Sequence, residues 1–189
     1  MSTHLRWGLA VAAAALLVAP PPAVALVNPA PCIAKSGTDA TETREDSSVD
    51  EDEIRYSDST KYDDAIKYAI KAWQYSGSKI KILPDTGTTV NDLEFADYSD
   101  TKSTAAGYWQ RRPQVAATDY IRFNKAKMDN YDTQKKREVA AHELGHALGL
   151  CHKSGSKPNP VTSLMWPEVH SLFADPTDVD KANYKKLWG

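Results

Sequence analysis

The sequence lacks an excess of charge of either sign, has few cysteines and contains no long apolar run outside its N-terminus. Its 189 residues carry 23 Lys and Arg against 25 Asp and Glu, a formal net charge of −2. Because there is no strong basic patch, nucleic acid is not an expected partner. No internal repeat, second domain or N-glycosylation sequon is present in the sequence. We therefore expect one monomeric domain.

The apolar run at the N-terminus predicts a secretory signal. A short positive region precedes the ten apolar residues Leu9–Val18, and Ala23-Val24-Ala25 fits the small-x-small cleavage rule. The alternative is a membrane anchor, but ten apolar residues are too short to span a bilayer. We predict a signal peptide over residues 1–25, an extracellular, secreted protein, and no stable membrane association.

The next segment is acidic and poor in apolar side chains. Residues 35–53 contain eight Asp and Glu residues. This composition predicts that region 26–52 is a solvated linker or a short pro-segment rather than a packed element. A calcium site is the alternative for such a run, but nothing in its pattern supports one.

The chemistry of the sequence is concentrated in one predicted helix. The run 135–148 lacks proline and is rich in helix formers, and Asp132 or Thr133 can cap its start. His142 and His146 are four residues apart. Both imidazoles therefore lie on one face of the helix, where they can bind one metal ion.

A third histidine and a glutamate complete this set. Gly149 permits a sharp turn after the helix, because glycine adopts positive φ at low cost, and His152 can then return as a third ligand. Three protein ligands leave the fourth position of tetrahedral zinc to water, as in catalytic sites. Glu143 lies about 100° around the helix, where its carboxylate reaches such a water rather than the metal. The alternative is an ordinary amphipathic helix with exposed histidines.

The stretch His142–His152 reads H-E-x-x-H-x-x-G-x-x-H and resembles the zinc-binding signature of the metzincin metalloproteases. Ser163–Pro167 resembles the methionine turn that metzincins place beneath the metal, with Met165 as its methionine. The ending Asp178–Gly189 is similar to the C-terminal helix of matrixins. The simple N-terminal half is also similar to snapalysin-type bacterial neutral proteases. These use Asp where this chain has His152, so a matrixin-like protein is the preferred interpretation.

Some positions depart from the matrixin pattern. Lys153 follows the third histidine where matrixins usually have serine, and Trp166 replaces the tyrosine often found after the methionine. The sequence contains no histidine-rich segment for a second, structural zinc ion, since only His170 lies outside the motif once the predicted signal peptide, with His4, is removed. The resemblance therefore implies one catalytic Zn²⁺ per chain.

The resemblance implies an α+β fold over residues 53–189: a small mixed, twisted sheet with a helix, an active-site zinc helix, a methionine turn and a C-terminal helix. Hydrophobic periodicity independently predicts a helix and several strands. The helix covers residues 62–75, and the strands cover 54–56, 79–83, 92–98, 106–110 and 120–124. Tyr108 and Trp109, on a predicted edge strand, either line a cleft where an extended peptide adds as a further strand or serve in core or rim packing.

The implied activity is that of a secreted zinc endopeptidase acting on protein or peptide substrates, with Glu143 as general base. The family also implies that the segment from Met165 to His170 forms the wall of the primed-side pocket. Two alternatives remain. One is a catalytically silent binding protein, against which the intact Glu143 argues. The other is a zinc hydrolase that acts on a non-peptide amide.

The two cysteines, Cys32 and Cys151, have two interpretations. In an exported protein a pair of cysteines suggests one disulfide, here tying the N-terminal region to the loop beside His152. Closing so long a loop stabilises by up to roughly 4–5 kcal/mol in the chain-entropy model. The alternative is a cysteine switch, in which Cys32 occupies the open position of the zinc ion. The residues around Cys32 do not match the matrixin latency motif, which favours the disulfide.

Overall fold

A computed structural model describes residue 32 and residues 42–112, 118–153 and 163–189. The predicted signal peptide lies outside the described residues. Within these ranges no helix has the length and apolar character needed to cross a membrane. The elements are, in chain order, β1 (Glu53–Asp58), α1 (Asp63–Trp73), β2 (Lys81–Pro84), β3 (Leu93–Tyr98), β4 (Gly107–Gln110), β5 (Asp119–Asn124), α2 (Lys125–Met128), α3 (Thr133–Ala147) and α4 (Asp178–Trp188).

The five described strands form one mixed sheet in the order β2-β1-β3-β5-β4. Four strands are parallel, and β4 pairs antiparallel with β5 at one edge. The strand predictions are confirmed, including the edge position of β4. The short helix α2 between β5 and α3 was not predicted. The protein is thus a mixed α/β structure with a mostly parallel sheet, which is compatible with the predicted α+β class.

The core lies between the sheet and the helices α1 and α3. Alternate residues of β3 and β5 are fully buried, as the period of two in a strand requires. The predicted apolar stripe of α1 is buried as well, and it consists of Ala65, Ile66, Ala69, Ile70 and Trp73. The Trp73 indole N–H donates to the Ala141 carbonyl oxygen over 2.7 Å, which fixes α1 against α3.

Helix α3 begins and ends as its sequence predicts. Asp132 is the N-cap, and its side chain accepts a hydrogen bond from the backbone N–H of Lys135. At the other end Gly149 has φ +84°, the left-handed region that favours glycine. The Leu150 N–H donates back to the Gly145 carbonyl oxygen over 3.0 Å and closes the helix end. The chain therefore turns sharply just before His152.

Residues 42–50, which we call the N-terminal strap, pack against the body of the protein at their centre, whereas Arg44, Glu45 and Asp50 are exposed. Ser47 and Ser48 are 7% and 5% exposed. The Ser48 N–H donates to the Ala147 carbonyl oxygen over 2.8 Å, and its hydroxyl donates to Asp119. Ser47 and Ser48 are therefore packed, which differs from the predicted solvated linker at these two positions. The amino-acid composition does not predict this packing, because hydroxyl and backbone groups rather than apolar side chains make many of the contacts.

Candidate metal centre

Three histidine nitrogens converge at the C-terminal end of α3. His142 and His146 come from successive turns of the helix, and His152 comes from the segment after Gly149. Their Nε2 atoms lie 3.1 Å from one another. Tetrahedral zinc with Zn–N bonds of about 2.0–2.1 Å places its nitrogen ligands about 3.3–3.4 Å apart. The structure thus brings all three predicted ligands together at a spacing that fits one metal ion.

Backbone carbonyl groups fix the protonation of two of these rings. The Nδ1 of His142 lies 2.9 Å from the Leu164 oxygen, and the Nδ1 of His146 lies 2.8 Å from the Leu150 oxygen. Because a carbonyl oxygen only accepts, each Nδ1 carries a hydrogen, and the neutral form of each ring has its Nε2 lone pair directed at the other ring's Nε2. Such lone pairs repel at this distance, whereas a cation between them would bind both.

The environment also keeps His146 neutral. Burial lowers its pKa well below the ordinary histidine value, and the neighbouring imidazoles of His142 and His152 lower the pKa further. Neutral imidazole is the form that binds metal ions. The site is therefore suited to a divalent cation rather than to a protonated histidine cluster.

Glu143 is a buried carboxyl group beside the three histidines, with 7% of its surface exposed. Burial raises the pKa of Glu143 to about 8, and a hydrogen bond from the backbone of Trp109 acts in the opposite direction. A Cβ atom at Gly107 would lie 3.3 Å from Glu143 Oε1. Strand β4 therefore passes close to this carboxylate, and the absence of a side chain at Gly107 leaves room for it.

The predicted methionine turn packs against α3 beside His142 and Gly145. Met165 is fully buried, and a Cβ atom at Gly145 would lie only 2.4 Å from its sulfur. Met165 thus packs closely against α3 at Gly145, and a side chain at position 145 would displace the Met165 side chain. The preceding residue of the turn, Leu164, supplies the carbonyl oxygen that holds His142.

Asp180, which the sequence analysis did not single out, holds this turn in place. It is fully buried in α4, and its carboxylate accepts hydrogen bonds from the Leu164 N–H, over 2.7 Å, and from the Ser163 hydroxyl. A sequence signal existed, because Thr177 and Asp180 form a capping box at the start of α4. The capping-box pattern predicts where α4 begins, but it does not predict that Asp180 also contacts the methionine turn.

Glu138 is a second residue that the sequence analysis missed. It lies four residues before His142, on the same face of α3, and it is 3% exposed. Its carboxylate accepts hydrogen bonds from the backbone N–H groups of His170 and Ser171, over 2.9 and 2.6 Å. Glu138 thereby fixes the segment that follows the methionine turn.

A groove with a cavity volume of about 630 Å³ runs past the histidines and Glu143. Strand β4 forms one wall through Tyr108 and Trp109, and Trp166–Val169 form the other. Tyr108 and Trp109 both line the groove, and Trp109 also packs against the core and donates its indole N–H to the Ser48 hydroxyl. Met165, predicted as part of the pocket wall, lies buried behind it.

The sulfur atoms of Cys32 and Cys151 lie 2.00 Å apart, at disulfide distance. Cys151 directly precedes His152, so this pair ties residue 32 to the segment that carries the third histidine. The cysteine-switch alternative requires the Cys32 sulfur at the histidine cluster, and this arrangement instead favours the disulfide.

Comparison with known proteins does not add to this description of the site. No protein-family model matches the chain, and no curated protein matches it significantly. The functional conclusion therefore depends on the residues and their arrangement.

Proposed function

We propose that the protein is a secreted zinc-dependent endopeptidase of the metzincin type, similar to matrixins. The observation that carries the proposal is the convergence of three histidine nitrogens, mutually 3.1 Å apart, beside the buried carboxyl of Glu143. The open groove with an edge strand along one side adds a binding surface for an extended chain.

His142, His146 and His152 are the residues that would hold the metal ion. Three neutral imidazoles are a donor set that zinc accepts readily, and they leave one position open for catalysis. Zinc bound there would lower the pKa of a water molecule and polarise the scissile carbonyl group. Leu164 and Leu150 orient two of the rings through their carbonyl oxygens.

Glu143 acts as the general base and then as the general acid. Its carboxylate accepts a proton from the attacking water and delivers it to the nitrogen of the leaving amine. Burial raises the pKa of Glu143, and the charge of a zinc ion bound beside it would lower that pKa again, so the group can exchange a proton near neutral pH. Strand β4 is the last strand of the sheet, so its outer edge can align an extended peptide by backbone hydrogen bonds.

We expect the purified protein to bind one zinc ion per chain and to cleave casein. A zinc chelator should abolish cleavage, and added zinc should restore it. The three histidines form one ligand set, and in the other described cluster, Cys32, Glu42 and Cys151, the two sulfurs are paired at disulfide distance. Metal analysis and a casein-clearing assay measure both properties. Two zinc ions per chain, or full activity in excess chelator, would contradict the proposal. Zinc binding without any cleavage would instead support the silent binding protein.

The charge of the groove leads to an expectation about substrates. The described residues that line it include Glu138, Glu143 and Glu168 but no lysine or arginine. Of these three, only Glu168 is exposed, so an acidic substrate side chain would approach its carboxylate without a lysine or arginine among the described lining residues. We expect peptides with Lys or Arg beside the scissile bond to be cleaved roughly five-fold faster than matched peptides with Asp or Glu, from about 1 kcal/mol of exposed electrostatic interaction.

Matched fluorogenic peptides at low ionic strength measure this ratio as kcat/KM. Glu168→Gln should reduce the preference, because this glutamate is an exposed part of the groove wall. Glu94→Gln is the matched control, since Glu94 lies on β3 and is not among the residues that line the groove. Equal rates for basic and acidic peptides would show that the groove does not select by charge.

A further inference from the structure

The segment that carries His152 is held by residues distant in sequence. His152 lies beyond the end of α3, so the helix itself does not determine its position. A Cβ atom at Gly149 would lie 2.5 Å from the Thr43 carbonyl oxygen. The backbone of the N-terminal strap is therefore in direct contact with the turn that leads to His152.

Both neighbours of His152 are anchored to the N-terminal region. On one side Cys151 is paired with Cys32. On the other side the Lys153 ammonium lies 2.6 Å from the Glu42 carboxylate, and the two side chains are 1% and 4% exposed. Cys32 and Lys153 also form an antiparallel β-bridge. A covalent anchor and a buried ion pair thus flank the third histidine.

The strap is in turn fixed to the body of the protein by separate contacts. The Arg44 guanidinium donates to the Leu187 carbonyl oxygen at the end of α4 and lies 4.9 Å from the centre of the Trp188 ring. The Ser48 hydroxyl donates to the Asp119 carboxylate over 2.7 Å at the start of β5. These contacts hold the strap against the sheet and α4, so its anchors define a fixed position for the segment around His152.

We propose that the strap and Cys32 are retained in the working protein and position His152 for metal binding. Cys32 and the strap are then permanent parts of the region 26–52, and any pro-segment ends before Cys32. The inference rests on the proposed zinc site. A turn without these anchors would have to be ordered each time the metal binds, which weakens binding. Glu42 and Cys32 are positioning residues and are not metal ligands.

Two variants test the anchors separately. Glu42→Gln keeps the size of the side chain but leaves the Lys153 ammonium buried without its counter-charge. The double variant Cys32→Ser, Cys151→Ser removes the covalent anchor. We expect each to bind zinc roughly 10–100-fold more weakly than the parent, the usual effect of removing a group that orients a ligand. Competition with a chromophoric chelator measures the zinc Kd, and circular dichroism verifies the fold.

Two control variants separate positioning from general stability. Glu45→Gln changes an exposed glutamate of the same strap and should leave the zinc Kd unchanged. Ile82→Ala creates a cavity in the core at β2, so it should lower the Tm without changing the zinc Kd. If folded Glu42→Gln and the cysteine variant both bind zinc as tightly as the parent, the strap does not position His152.

The mass of the secreted, zinc-loaded protein provides an independent test. We expect a chain that begins at or before Cys32, with a mass that corresponds to one disulfide. A zinc-loaded chain that begins after residue 50 would overturn the inference, even if the anchor variants failed to fold. If instead the parent protein binds no zinc at all, the proposed function fails. Tight zinc binding that is insensitive to the anchors refutes only the role of the strap.

Discussion

Replacement of Glu143 by glutamine is expected to lower kcat by roughly 10²–10⁴-fold, which corresponds to about 3–5 kcal/mol of transition-state stabilisation. Glutamine has the size of glutamate and can hydrogen-bond to water, but it cannot accept the proton. The zinc content and the Tm should remain close to those of the parent, because the carboxyl group is not one of the three converging ligands. Burial disfavours the charged form of Glu143, which raises its pKa. An uncharged amide at this position does not incur that cost of losing its hydration.

Peptide hydrolysis under saturating substrate, with metal analysis of the same samples, measures this effect. Glu94→Gln makes the same chemical change outside the groove and should retain the parent rate. A zinc-loaded Glu143→Gln protein that cleaves peptides at near the parent rate would show that another group activates the water. The mechanism proposed for Glu143 would then be wrong, even if the metal site were correct.

The sequence predicted the elements of this fold well, because their hydrophobic patterns are strong and local. The apolar stripe from Ala65 to Trp73 and the alternation in β3 and β5 identify which faces are buried. The order of the strands in the sheet depends on contacts between distant segments, and local periodicity does not encode it. The single-turn helix α2 was missed for a related reason, since four residues are too few to show a helical period.

The part of the candidate metal centre that lies in one short sequence motif could be predicted from the sequence. His142 and His146 follow from helical spacing, and the positive φ of Gly149 agrees with the expected turn. The supporting residues were not predictable in this way. Asp180 holds the methionine turn from another helix, and Glu42 meets Lys153 across more than a hundred residues of sequence. Polar contacts of this kind have no periodic signature, so composition alone presented the strap as a solvated segment.

Replacement of His146 by alanine is expected to have a different effect from Glu143→Gln, because it removes a metal ligand rather than a base. Two converging nitrogens would remain, and zinc binding should weaken by more than the roughly 10–100-fold caused by losing an orienting group. At micromolar protein and zinc we expect little bound metal and no measurable cleavage. Zinc should raise the Tm of the parent but not that of the variant, since a ligand stabilises only a state that it binds.

His170→Ala is the matched control, because His170 lies outside the three converging histidines and should be dispensable for metal binding. Its zinc content should equal that of the parent, whatever its effect on the groove wall that Glu138 holds. A His146→Ala protein that still retains one tightly bound zinc ion would show that the metal binds elsewhere. If Glu143→Gln and His146→Ala both lose cleavage but only His146→Ala loses zinc, metal binding and proton transfer are separable functions of two residues on neighbouring turns of α3. That combination is expected of a metal-dependent hydrolase and is incompatible with a histidine cluster that serves only to stabilise the fold.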